Sequence, residues 1–179
     1  MRWLSYGHSA ALLARLLDDD GPLTHQHLDA LPASKAVHYV RDVLVCAGIL
    51  PSRDEHLERI TPWLDQLLAA RPPGHARLIQ PYAHWFLIHR ARRKNHGALT
   101  SSTTAGHIRA RITTAVALLD WLSDHGTGLG ALTQDQLDQW LLARPGRHTP
   151  IQPFISWTTW HKITRGLAVK SRPATTPAN

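Results

Sequence analysis

Thirteen histidines and one cysteine, Cys46, are the residues of this chain most able to do chemistry, and their spacing argues against it. No His-Glu-x-x-His occurs. His84 and His89 are five apart, about 140° round a helix, so they cannot share a metal from one face. His25 and His27 flank a glutamine in a turn-like stretch, where an exposed or structural role is the ordinary one. One cysteine permits neither an internal disulfide framework nor a thiolate metal site. There is no Gly-x-Ser-x-Gly elbow, no glycine loop to cradle phosphate and no pair of carboxylates placed for acid and base work. The sequence therefore points to a binding protein rather than an enzyme, with no catalytic residue, metal or cofactor.

Binding chemistry is carried by the cations. The formal charge is +7 over 179 residues. Residues 1–70 hold 6 Lys/Arg against 9 Asp/Glu, whereas 71–179 hold 14 against 4. Lysines and arginines gathered on one surface release counterions from a polyanion, so nucleic acid is the first partner to consider. Arg90, Arg92, Arg93 and Lys94 end a helical stretch and are set to reach phosphates. Cations in a last helical turn also complement the macrodipole, which is the plainer account of that cluster. With Arg109, Arg111, Arg147, Lys162, Arg165, Lys170 and Arg172 following, the binding reading gains. Thr100 to Thr104 offers hydroxyls and free N–H groups at a helix start, with Thr103 a candidate phosphate contact, although a polar loop explains most of the run.

Helical periodicity dominates and no alternating β-branched run appears, so the expected class is all-α. A first helix covers Ser9 to Leu17. A second starts at Ser34 as N-cap, carries Val37, Val40 and Leu44, and stops near Gly48. Ser52 to Glu55 has capping-box spacing and introduces Leu57, Ile60, Leu64 and Leu67, with Pro62 kinking that helix or marking its true start. Arg71-Pro72-Pro73-Gly74 is the clearest break in the chain and is taken as the domain boundary. The expected layout is a helical accessory segment over 1–70, a basic bundle of four to five helices over 74–167, and a disordered tail over 168–179.

Within the second part, Leu78, Tyr82, Trp85 and His89 fall on one α-helical face. After a loop from Asn95 to Ser102, the stripe Ile108, Ile112, Ala115, Leu119 and Leu122 defines a long helix with Arg109 and Arg111 on opposite flanks. Thr133 and Gln136 form a capping box ahead of Leu137, Trp140 and Leu141. A last helix begins near Thr149-Pro150 and carries Ile151, Phe154, Ile155 and Trp157. Trp85, Trp140 and Trp157 sit at core-like positions, while Trp121 and Trp160 lie off the stripes. No stretch is apolar and long enough for a bilayer and the N-terminus lacks a signal-peptide layout, so a cytoplasmic protein is expected.

Three stretches carry a family likeness: Leu99 to Thr104 entering a helix that ends Leu118-Leu119-Asp120-Trp121-Leu122, then Leu132 to Leu141, then Pro153-Phe154-Ile155-Ser156-Trp157. From Arg77 to about Leu167 the chain resembles the SAM-like, core-binding N-terminal region of tyrosine recombinases, the phage-integrase family. Leu28 to Pro32, Val40 to Val45 and Gly48 to Pro51 look like the extension that precedes such regions in integrase-like proteins. The resemblance implies a small helical bundle that clamps one side of duplex DNA. It also implies what is missing: that family cleaves with a tyrosine preceded by arginines and a His-x-x-Arg element in a separate C-terminal domain. His56-Leu57-Glu58-Arg59 and His89-Arg90-Ala91-Arg92 fit that element only by chance, Tyr6, Tyr39 and Tyr82 all precede the second, and the chain stops where the catalytic domain is expected to begin.

The expectation is thus binding of double-stranded DNA, without strand cleavage, by Arg90, Arg92, Arg93, Lys94, Thr103, Arg109 and Arg111, extended by Lys162 and Arg165. A recombinase or another protein is a further candidate partner. The alternatives are a protein-interaction module contacted through the off-stripe tryptophans and the acidic first part, and a helix-turn-helix regulator.

Overall fold

The computed structural model describes residues 4–18, 21, 23–94 and 99–169. The tail expected to be disordered from 168 is ordered at its start, where Ala168 exchanges two hydrogen bonds with the Gln134 side chain and Val169 packs on the core; residues 95–98 and 170–179, Lys170 and Arg172 among them, lie outside the described residues. Among those described, the chain is helical with no strand, as the periodicity requires. It divides into two compact units, 1–53 and 54–179.

The first unit contains α1 (Leu4–Leu17), α2 (His25–Asp29) and α3 (Lys35–Cys46). Thr24 and Ser34 cap α2 and α3 by accepting from the amides of His27 and Val37, each three residues on. Gly48, at φ 72°, lets the backbone turn left-handed after α3. Leu16, Leu28, Val37, Val40, Leu44 and Leu50 form the core. Arg41 is buried beside it and reaches Asp29 at 2.6 Å, and Arg53 holds the same carboxylate with both terminal nitrogens. Partial burial works to raise the Asp29 carboxyl, but the hydrogen bonds and charges of Arg53 and Arg41 outweigh it and hold the group below its usual value.

The second unit starts earlier than Arg71-Gly74. Asp54 caps the single turn α4 (Glu55–Glu58), accepting from Leu57 N, and the same carboxylate accepts from Thr100 N at 2.7 Å. The cap is therefore Asp54, two residues after the expected Ser52. α5 (Ile60–Ala69) follows after a break at Arg59, and Pro62 falls in its first turn, where its missing N–H costs nothing. Leu57, Ile60, Leu64 and Leu68 bury into the same core as the downstream helices, which is why α4 and α5 belong to this unit and not to the preceding segment. With the division at Arg53, the first unit carries 5 Lys/Arg and 5 Asp/Glu, and the second 15 against 8. The basic excess stays in the second unit and the first is neutral.

α6 (Pro73–Pro81) runs on through a π-helical stretch, Tyr82–Ile88, into α7 (His89–Lys94). Pro81 has no N–H to give to the carbonyl four residues back and its ring crowds it, which favours a change of register there. The His89 amide then donates five residues back, to the His84 carbonyl. Burial follows the wider turn: Tyr82 and Leu87, like Ala83 and Ile88, are buried five apart. Trp85, on the inner face in an α-helical reading, is instead 74 % exposed, and His89 is also exposed.

α8 (Ser102–Asp124), capped by Ser101, is the central helix. Its expected stripe is buried, and Thr114, Val116 and Leu118 are buried too, because α4, α6, the π stretch and α10 surround it. α9 (Gln134–Leu142) begins with the capping box of Thr133 and Gln136, and α10 (His148–Trp160) closes the bundle. Tyr82, Phe154 and Trp157 form an aromatic cluster at the join of the π stretch and α10, with ring centroids 5.0 to 6.0 Å apart. Trp121 is half-buried against the core, with its ring tilted against that of His125, so one of the two off-stripe tryptophans is accounted for by packing.

Candidate nucleic-acid interface

Helical spacing decides which cations meet. Residues four apart on a helix share a face, whereas residues two apart look in nearly opposite directions. Arg90 and Lys94 on α7 form one such pair, and His107 and Arg111 on α8 form another. The two pairs line a single groove of about 630 Å³, with Thr104 beside them on α8. The third wall is α10, through Gln152, Pro153 and Ser156, and the floor includes Phe86 and Ile108.

No carboxylate lines this groove. None of Arg90, Lys94 and Arg111 is paired with an acid of the described residues. The Arg90 guanidinium lies over the Phe86 ring at 5.7 Å, which stiffens the side chain without neutralising it. Arg111 sits close enough to buried Tyr82 to be felt there. Burial pushes that phenol well above its ordinary value and the arginine's charge opposes it in part. Tyr82 itself is fully buried and packs against Phe86, Phe154 and Trp157 rather than lining the groove.

The cations at the intervening positions go elsewhere. Arg92 reaches Glu58 on α4 at 2.6 Å. Arg109 stacks on Trp63 of α5 at 5.3 Å and donates to the Arg59 carbonyl. Arg109 and Arg111 do take opposite flanks, as their spacing requires, but only Arg111 enters the groove. Arg93, Lys162 and Arg165 are exposed and do not line it. Thr103 is exposed outside it, and the neighbouring Thr104 is the groove hydroxyl. The rest of the hydroxyl run is used locally: Ser101 caps α8 and contacts Thr104 Oγ1 at 3.0 Å, and Thr100 is buried.

Sequence reasoning missed His107, Gln152 and Ser156. The signal for His107 was present, since it stands four residues before Arg111. Nothing local marks Gln152 or Ser156, which reach the groove only because α10 packs against α8.

A smaller polar depression holds Arg71, His75, Asp120 and Ser123. Arg71 Nε lies 3.1 Å from Asp120 and His75 Nε2 also 3.1 Å, an arrangement that ties α6 to α8. Among the described residues, no three His, Cys, Asp or Glu side chains gather to hold a metal ion. No described helix is long and apolar enough to cross a membrane.

No family model matches the chain, and comparison with curated proteins and with solved structures finds no significant match.

Proposed function

We propose that the second unit is a cytoplasmic duplex-DNA-binding module, the core-binding part of an integrase-like protein, which does not itself cut or join strands. The observation that carries this reading is the groove in which Arg90, Lys94 and Arg111 converge from two helices with no acid between them. Three cations in one concavity offer a strand of phosphates a continuous seat, while Thr104, Gln152 and Ser156 can add neutral hydrogen bonds to phosphate or sugar. The surplus of 15 Lys/Arg over 8 Asp/Glu in this unit adds a longer-range attraction.

Charge reversal tests the proposal. R90E/K94E places two acids in the groove, and R15E/R77E makes the same change of net charge at exposed positions outside it. Retention of a labelled duplex at low salt is expected to vanish in the first and survive in the second. Equal loss in both would reduce the attraction to net charge alone and defeat the assignment.

A further inference from the structure

The α10 wall of the groove belongs to a helix that runs on past it. Gln152 and Ser156 line it and are exposed, and Trp160 continues their series at the same spacing of four. Those three positions share one stripe of the helix, with Trp160 about 6 Å beyond Ser156. Trp160 is 77 % exposed, and its ring lies edge-to-face with that of His161, with centroids 4.7 Å apart. A large flat apolar ring is thus left open to solvent one helical turn beyond a residue that lines the cationic groove.

Its surroundings select an anionic partner. No Asp or Glu occurs anywhere after Asp138, while Lys162 and Arg165 are exposed just past the ring. Lys162 closes the helix in the left-handed region, at φ 59°. Its amide donates to Thr159 O and that of Ile163 to Thr158 O, the bonding of a helix end that glycine ordinarily completes. The residue that accepts this conformational cost is a lysine, two positions past the indole.

We infer that Trp160 is a stacking platform for an unpaired nucleobase, on a strand whose adjoining phosphates lie along the Arg90, Lys94 and Arg111 groove. The face of a base inside a duplex is covered by its neighbours and a terminal base is held by its pair, so an unpaired base is the one free to turn onto an indole beside the seated strand. The inference rests on the groove binding nucleic acid and adds that the preferred substrate carries a single-stranded end or gap beside the duplex.

The test uses the full chain, a fluorescent blunt duplex, and the same duplex with a short single-stranded overhang of either polarity, read by anisotropy. The wild type is expected to bind one overhang form about tenfold more tightly than the blunt form, the size of one base-on-aromatic stack. W160A should erase that difference and leave blunt affinity unchanged, and W160F should keep most of it. Trp160 is exposed, so both variants should melt like the parent. Equal wild-type affinity for blunt and overhang forms would overturn this inference and leave the groove reading standing, as would an equal loss on both substrates in W160A. A W160A protein that keeps the preference would overturn it too. A wild type that binds neither substrate would remove the groove reading and this inference together.

Discussion

Replacing the three groove cations by alanine should flatten the salt dependence of duplex binding by a calculable amount. Each phosphate neutralised contributes about −0.9 to the slope of log affinity against log salt. Arg90, Lys94 and Arg111 line the groove together, so their joint removal should reduce the slope by about 2.7. Between 50 and 200 mM salt that share of the attraction amounts to roughly a 40-fold change in affinity, which the triple variant should no longer show. Each single alanine should reduce the slope by about 0.9. Arg92 supplies the internal control, because its charge is already occupied by Glu58 at 2.6 Å. R92A should leave the slope within a few tenths of the parent. Anisotropy titrations at four or five salt concentrations would measure all six slopes, the parent's included. An unchanged slope in the triple variant, or an R92A effect as large as that of R111A, would refute the argument that convergence in the groove, rather than mere basicity, makes the site.

Three stability measurements probe the architecture behind it. Lys162→Gly should raise the stability of the second unit by about 1 kcal/mol in a denaturant melt, because glycine adopts the left-handed φ of 59° without a Cβ clash. Trp140→Ala should cost about 3–5 kcal/mol, since that side chain is only 1 % exposed, whereas Trp85→Ala should stay within about 0.5 kcal/mol. Similar costs at both would contradict the π register. Asp29→Asn should lower the stability of the first unit near pH 7. The folded-state carboxyl is held below its unfolded value, so its contribution is present above about pH 4 and fades as pH falls through the lower, folded value. Melts of parent and variant should therefore converge in acid, and a gap that widened there would contradict the ion pairing.

Elements governed by local bonding were legible in the chain. Ser34, and Thr133 with Gln136, cap helices because a short polar side chain reaches an amide only two or three residues on. The stripe Ile108 to Leu122 is buried because a period near four can face only one way. In two places the packed structure overrides the local pattern. The break at Arg71 to Gly74 is a real turn between helices, but a turn is not a boundary when the helices on both sides share a core. At the α-helical period Trp85 falls on the inner face, and the switch to π bonding after Pro81 shifts which residues face inward.

What the amino-acid order alone determined is the all-helical class, the caps, the central stripe and the cationic excess. Those properties follow from interactions spanning four residues or fewer and from composition. Only tertiary packing decided that Arg90, Lys94 and Arg111 would meet while Arg92 and Arg109 turned to Glu58 and Trp63. Helical spacing separates a cation from its neighbour two places on, but which side becomes a groove depends on how α7, α8 and α10 pack, through contacts between residues tens of positions apart.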